Sequence, residues 1–126
     1  MTKFFFIVGA GSFLGGGTRY LVQQLVAKHF ASPMPYGTLV VNILGSFIIG
    51  ILFALSEKTN VLSNEMRLFL ATGFCGGFTT FSAFSLENIN LLREGSHFYV
   101  LGYVSLSVVL GFSATYLGLI LAKQYL

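Results

Sequence analysis

The sequence predicts an all-α membrane protein with four transmembrane helices, the third of them broken. Three observations predict this. Of 126 residues, 55% are hydrophobic and only 9% are charged, whereas soluble domains carry roughly 25% charge. The length fits about four membrane helices of roughly 20 residues each. Almost nothing is left for a soluble domain, so residues 1–126 read as one membrane domain. The third apolar segment contains Gly73-Phe74-Cys75-Gly76-Gly77-Phe78-Thr79-Thr80-Phe81-Ser82-Ala83-Phe84. Its glycines weaken a helix without any proline. A break at membrane depth is tolerated only where protein or a watery cavity surrounds it, so the stretch suggests an ion or solute path.

The first span covers residues 4–27. Its start resembles the charged and apolar regions of a signal peptide, but the glycine-rich continuation and the later spans fit a retained helix better. Gly11 and Gly15 are spaced four apart, as are Ser12 and Gly16; small residues at that spacing let helix backbones approach. The Gly9-x-Gly11-x-x-x-Gly15 run misses the dinucleotide fingerprint in both spacing and context. Arg19 reads either as a side chain snorkelling to the headgroups or as a cation at the mouth of an anion path or between helices. Pro33 and Pro35, the only prolines, separate this span from the next.

The second span covers residues 36–55, where Thr38, Asn42 and Ser46 fall on one helix face. That stripe serves either interhelical hydrogen bonding or a pathway lining. The Asn42 amide offers two donors, which suits a small anion. A polar connection, residues 56–65, comes next, with Ser63 as a candidate N-cap. The third span covers residues 66–94 with its break near residues 76–80. Glu87, past the break, reads as a polar helix end or as part of a vestibule. Gly95-Ser96-His97 makes a turn, and the last span covers residues 98–121. Its row Tyr103, Ser107, Gly111, Thr115 is a second stripe of small and polar residues.

Several function classes find no support. No basic run or stripe fits nucleic acid. No Ser/His/Asp set, paired carboxylate or metal-ligating cluster points to an enzyme. Cys75 is the sole cysteine and reads as a packing residue. No intramembrane carboxylate is placed for proton coupling. Four short helices do not easily enclose a wide polar pathway, so an oligomer is expected. Lys3, Lys58, Arg67 and Lys123 fall on one side, against Lys28, Arg93 and the nearby Arg19. That weak bias permits both orientations, and hence an antiparallel, symmetric homodimer. Freed carbonyls at the break would suit a cation, freed amides and hydroxyls an anion. The residues alone leave both open.

Residues Gly73 to Phe84, quoted above, closely resemble the signature of the small microbial fluoride channels of the CrcB/Fluc family. Gly15-Gly16-Gly17-Thr18-Arg19-Tyr20 and Gly37-Thr38-Leu39-Val40-Val41-Asn42-Ile43-Leu44-Gly45-Ser46 resemble the family's other two motifs, in order. The resemblance covers the whole chain, with one departure at Ala83, where the family often has threonine. It implies a dual-topology homodimer in the cell membrane, with two fluoride pores and passive export of toxic fluoride. It also implies a central sodium ion, structural and not transported, held by the backbone carbonyls of Gly76 and Thr79 from both subunits. The pore phenylalanines map onto Phe81 and Phe84 and the pore asparagine onto Asn42. Ser82 enters as a nearby hydroxyl, and Tyr103 and Ser107 match the fourth-helix polar track. Arg19 matches the first-helix arginine, in a vestibule or a structural role.

Two other classes fit less well than the channel. A small dual-topology multidrug exporter would want a glutamate in its first span, and residues 4–27 contain no acid. A purely structural protein would explain the glycines but not Asn42 beside the Thr-Thr-Phe-Ser break.

Overall fold

The computed structural model describes residues 1–58 and 61–126, and every regular element among them is helical. Helix α1 spans Thr2–His29 and α2 spans Tyr36–Glu57. Helix α3 covers residues 64–78 in three contiguous pieces, Asn64–Arg67, Leu68–Cys75 and Gly76–Phe78, the middle one wound as a π-helix. Thr79 and Thr80 are extended, after which α4 takes Phe81–Arg93 and α5 takes His97–Tyr125.

Local chemistry sets these ends. Pro35 sits at the N-cap of α2. The Ser63 hydroxyl accepts the Met66 N–H at 3.1 Å, as its candidate role requires. Helix α4 closes with the Ser96 N–H on the Leu91 carbonyl and the Gly95 N–H on the Leu92 carbonyl. That pairing needs a left-handed residue, and Gly95 supplies it at φ 77°. In the polar connection of residues 56–65, Thr59 and Asn60 lie outside the described residues.

Helices α1 and α3 run side by side in the same direction. Lys3 meets Glu65 at 3.7 Å at one end, and Arg19 meets Gly77 at the other. A Cβ on Gly11 or Gly15 would overlap the Phe69 or Phe74 carbonyl oxygen, and one on Gly77 would press on Ser12 and Gly16. Helices α2 and α5 are likewise parallel. A Cβ on Gly50 would overlap the Thr115 carbonyl, and one on Gly118 the Phe47 carbonyl. Small residues thus bring backbone onto backbone in both pairs, as their spacing predicts for α1.

Three helical runs, Tyr36–Glu57, Asn64–Arg93 and His97–Tyr125, are long and apolar enough to cross a membrane. The sequence predicts four. At roughly 1.5 Å per residue, the 28 residues of α1 reach about 42 Å, more than the roughly 30 Å of hydrocarbon. Its glycines together with Arg19, Gln23 and Gln24 dilute its apolar character. The internal core is small, built on Leu39, Leu91 and Tyr103 with Phe84 and Ile43 packed against it. Most large apolar side chains, among them Phe13, Phe98 and Phe112, point outward.

Candidate functional site

The break falls where the sequence places it, but not for the expected reason. Gly76 is right-handed helical and Gly77 lies within the same turn. The unwound residues are Thr79 (φ −86°, ψ 160°) and Thr80 (φ −152°, ψ 121°). These are β-branched residues that favour extended backbone. The glycines have other uses: Gly77 admits α1, and Gly76 leaves an open surface where an added Cβ would meet nothing.

What holds the chain open is a diversion of two N–H groups. In an unbroken helix the Thr80 N–H would return to the Gly76 carbonyl, and the Ala83 N–H to the Thr79 carbonyl. Instead, the Thr80 N–H donates to Asn42 Oδ1 at 2.8 Å, and Asn42 Nδ2 donates to the Thr80 carbonyl at 3.1 Å. The Ala83 N–H donates to the Thr80 hydroxyl, the N-cap of α4, at 3.1 Å. Gly76 and Thr79 therefore keep carbonyl oxygens without their helical partners. The neighbouring carbonyls are satisfied. That of Cys75 takes the Thr79 N–H and hydroxyl, each at 3.0 Å, and that of Gly77 takes Arg19 Nε at 3.1 Å. Arg19 also places its charge at the C-terminal end of α3, where a cation is favoured.

A groove of about 470 Å³ opens beside the break. It is lined by Asn42, Gly76, Thr79, Phe81, Phe84 and Ser107, together with Gly45, Ser46, Ile49, Ala71, Cys75, Thr80, Val108 and Phe112. Six of the sequence-predicted site residues thus converge on one space. Phe81 is 77% exposed and stands 5.9 Å, ring centre to ring centre, from Phe84. The Ser107 hydroxyl is buried without a hydrogen-bond partner among the described residues. Ser82 lies outside the lining, its hydroxyl 3.4 Å from that of Thr80.

Tyr103 and Glu87 form a second polar cluster. Tyr103 is fully buried and donates to Glu87 Oε1 at 2.9 Å, and its ring packs 4.9 Å from that of Phe84. Thr38 donates to Glu87 Oε2 at 2.8 Å and accepts from Gln23 Nε2 at 3.0 Å. Glu87 is therefore a bridge between α2, α4 and α5, not a solvated helix end. It borders a polar cavity of about 430 Å³ that Gln23, Gln24, Ser32 and Thr38 also line. Neither Gln23 nor Thr80 as a cap stands out in the sequence as a site residue. Only Thr80, three residues before the backbone N–H it accepts, carries a local signal.

The donor set at the break is neutral carbonyl oxygen, the chemistry that fits a hard monovalent cation. One chain supplies two such oxygens, so a cation there needs a second set.

Comparison with known proteins shows the family. A family model described as CrcB-like protein, Camphor Resistance (CrcB), matches residues 6–119. A Chlorobium luteolum protein named fluoride-specific ion channel FluC is 52% identical over 120 residues, covering 94% of this chain and 92% of its own. Proteins of the same name from Chlorobium chlorochromatii and Flavobacterium psychrophilum are 48% and 46% identical, over 93% and 97% of this chain and 90% and 98% of theirs. Matched by that family model over residues 6–119 and by these relatives over almost its full length, this chain belongs to the CrcB family of ion channels, which are not enzymes.

Proposed function

We propose that the chain is a fluoride-specific channel that lets fluoride leave the cell passively across the cell membrane. Its relatives of nearly the same length carry that name. The observation that carries the reading in this chain is the groove at the break, where Asn42, Phe81, Phe84 and Ser107 meet.

Fluoride is small and strongly hydrated, so a path must replace its water with close donors. The unpartnered Ser107 hydroxyl is one. Asn42 spends one amide hydrogen on Thr80 and keeps the second. The positive ring edges of Phe81 and Phe84 favour an anion without binding it tightly. Ser82 and Tyr103 extend the polar track beyond the groove. Arg19 and Glu87 brace the walls, one on the Gly77 carbonyl and the other between Thr38 and Tyr103.

The working unit is an antiparallel, dual-topology homodimer with four spans per subunit and two pores. Helix α1, parallel to α3 and of spanning length, is the fourth pass. Only 6% of the most apolar stretch of α5 is buried within the chain, which leaves that face for lipid and a second subunit. Two copies crossing at their breaks bring together four free carbonyls, Gly76 and Thr79 from each, as the site of a sodium ion. That ion would stay in place and hold the crossing.

Purified protein in liposomes tests the function. Fluoride efflux with little chloride efflux is expected. No fluoride flux, or chloride flux of the same size, overturns the reading.

A further inference from the structure

We infer that Gln23 is a positioning residue: it ties the Arg19 clamp on the helix break to the Thr38–Glu87–Tyr103 cluster and fixes the direction of the hydrogen bonds between them. The inference rests on the channel reading for its consequence, but its geometry stands apart from that reading.

The direction is set by which groups are able to donate. A guanidinium only donates and an ionised carboxylate only accepts. Arg19 Nη1 reaches Gln23 Oε1 at 3.5 Å, so the Gln23 carbonyl faces Arg19 and its NH₂ faces Thr38. Thr38 then receives a hydrogen on its lone pair from Gln23 and is left to give its own to Glu87 at 2.8 Å. Every link donates the same way, from Arg19 through Gln23 and Thr38 to Glu87. Bonds chained in one direction polarise one another.

Thr38 departs from three other threonines of this chain. Thr18, Thr79 and Thr115 turn their hydroxyls back onto the carbonyl four residues earlier, at 2.7, 3.0 and 3.2 Å. Thr38, 1% exposed, reaches across to another helix instead. The backbone makes room for this arrangement at Gly37, where an added Cβ would stand 3.1 Å from the Gln23 Cα. A side chain there would press on the Gln23 backbone, which would have to give by a few tenths of an ångström.

The consequence concerns Glu87. Held by two hydroxyl donors, its carboxylate keeps a fixed orientation against Tyr103, which in turn backs Phe84. Loss of Gln23 loosens one of those donors and lets Glu87 turn.

Gln23→Met keeps the side-chain length and removes both hydrogen-bonding groups. Only four side chains carry a carboxylate, so the Glu87 band is identified by infrared difference against Glu87→Gln. In Gln23→Met that band is expected to move in the same direction as in Thr38→Val. Fluoride flux in liposomes should fall about five- to tenfold in either variant, and the double variant should be no worse than Thr38→Val alone. Gly37→Ala, which disturbs Gln23 from the other side, should move the band the same way and serves if Gln23→Met does not fold. An unmoved Glu87 band in the folded variants, or flux losses that multiply in the double variant, overturns the assignment. If the wild-type protein carries no fluoride, the channel reading falls while the Glu87 band still decides the role of Gln23.

Discussion

The seam between α1 and α3 and the seam between α2 and α5 share one plan. Each joins two parallel helices through glycines that admit a facing carbonyl, Gly11 and Gly15 in one, Gly50 and Gly118 in the other. Each also ends with a cation on a carbonyl near a helix C-terminus, Arg19 on Gly77 and Lys58 on Ala122. They differ in where that terminus lies. Helix α5 runs unbroken to Tyr125, and the Ala122 carbonyl that Lys58 meets also takes the Leu126 N–H at 3.1 Å. Helix α3 stops at Phe78 beside the middle of α2, and Asn42 takes the N–H that would have continued it. Close glycine packing is therefore common to both seams and makes no site by itself. The site comes from redirected N–H groups that leave two carbonyls free inside the fold.

Adding a side chain to each seam tests that distinction most severely. Gly15→Val and Gly118→Val both drive a Cβ onto backbone that has nowhere to go. Each is expected to cost about 3 kcal/mol, the upper end for overpacking, measured as thermal unfolding in detergent. Fluoride flux per folded protein should fall only in Gly15→Val, because Phe74 and Phe78 carry the strain to the break. Gly9→Ala meets no atom and should gain up to about 1 kcal/mol through helix propensity. Equal flux losses in the two valine variants would erase the functional difference between the seams.

Asn42 is the next lever. Asn42→Leu removes both bonds to Thr80 and leaves its part-buried N–H and carbonyl without that partner. A cost of about 2 kcal/mol is expected from the buried groups left unpaired, along with loss of flux. Asn42→Asp keeps the acceptor for the Thr80 N–H and adds a negative charge to the groove. The proposed dimer should still be captured by cross-linking while fluoride flux drops at least about tenfold, the charge repelling the anion. Full flux in Asn42→Leu would show that the diverted N–H is not what makes the site.

These particulars mark what the sequence could and could not reveal. Legible in it were the apolar segments, the Pro33–Pro35 link, the Ser63 cap, the Gly95 turn and a break within residues 76–80. All rest on neighbours a few residues apart. The convergence of Asn42, Gly76, Thr79, Phe81, Phe84 and Ser107 came from the family resemblance, since no spacing joins residues so far apart in the chain. The unwinding at Thr79 and Thr80 rather than at the glycines was hidden because Asn42 enforces it from another helix. The π-helical Leu68–Cys75 carries no local mark beyond its apolar run. Glu87 read as a polar helix end or as part of a vestibule because its partners, Thr38 and Tyr103, come from the helices on either side in the sequence.

The smallest effect separates the two seam ends. The Lys58 ammonium lies 3.2 Å from the Ala122 carbonyl, and Lys123 stands 4.0 Å from Glu57 beside it. The Lys58 bond is part-buried like that of Arg19, but it lies beside the exposed Lys123–Glu57 pair at a helix C-terminus, where a cation contributes a few tenths to about 1 kcal/mol. Lys58→Met keeps the aliphatic stem and removes only the charge. It should lower stability by about 0.5 kcal/mol in low salt and leave fluoride flux untouched. In 1 M salt the screening length shrinks to about 3 Å, and the difference from wild type should disappear. Arg19→Met should behave otherwise, because its bond to Gly77 faces the break and its guanidinium also reaches Gln23. Its cost should survive high salt and should carry flux with it. If both losses vanish together in salt, Arg19 is as superficial as Lys58, and only the Asn42 diversion is left to distinguish the first seam from the second.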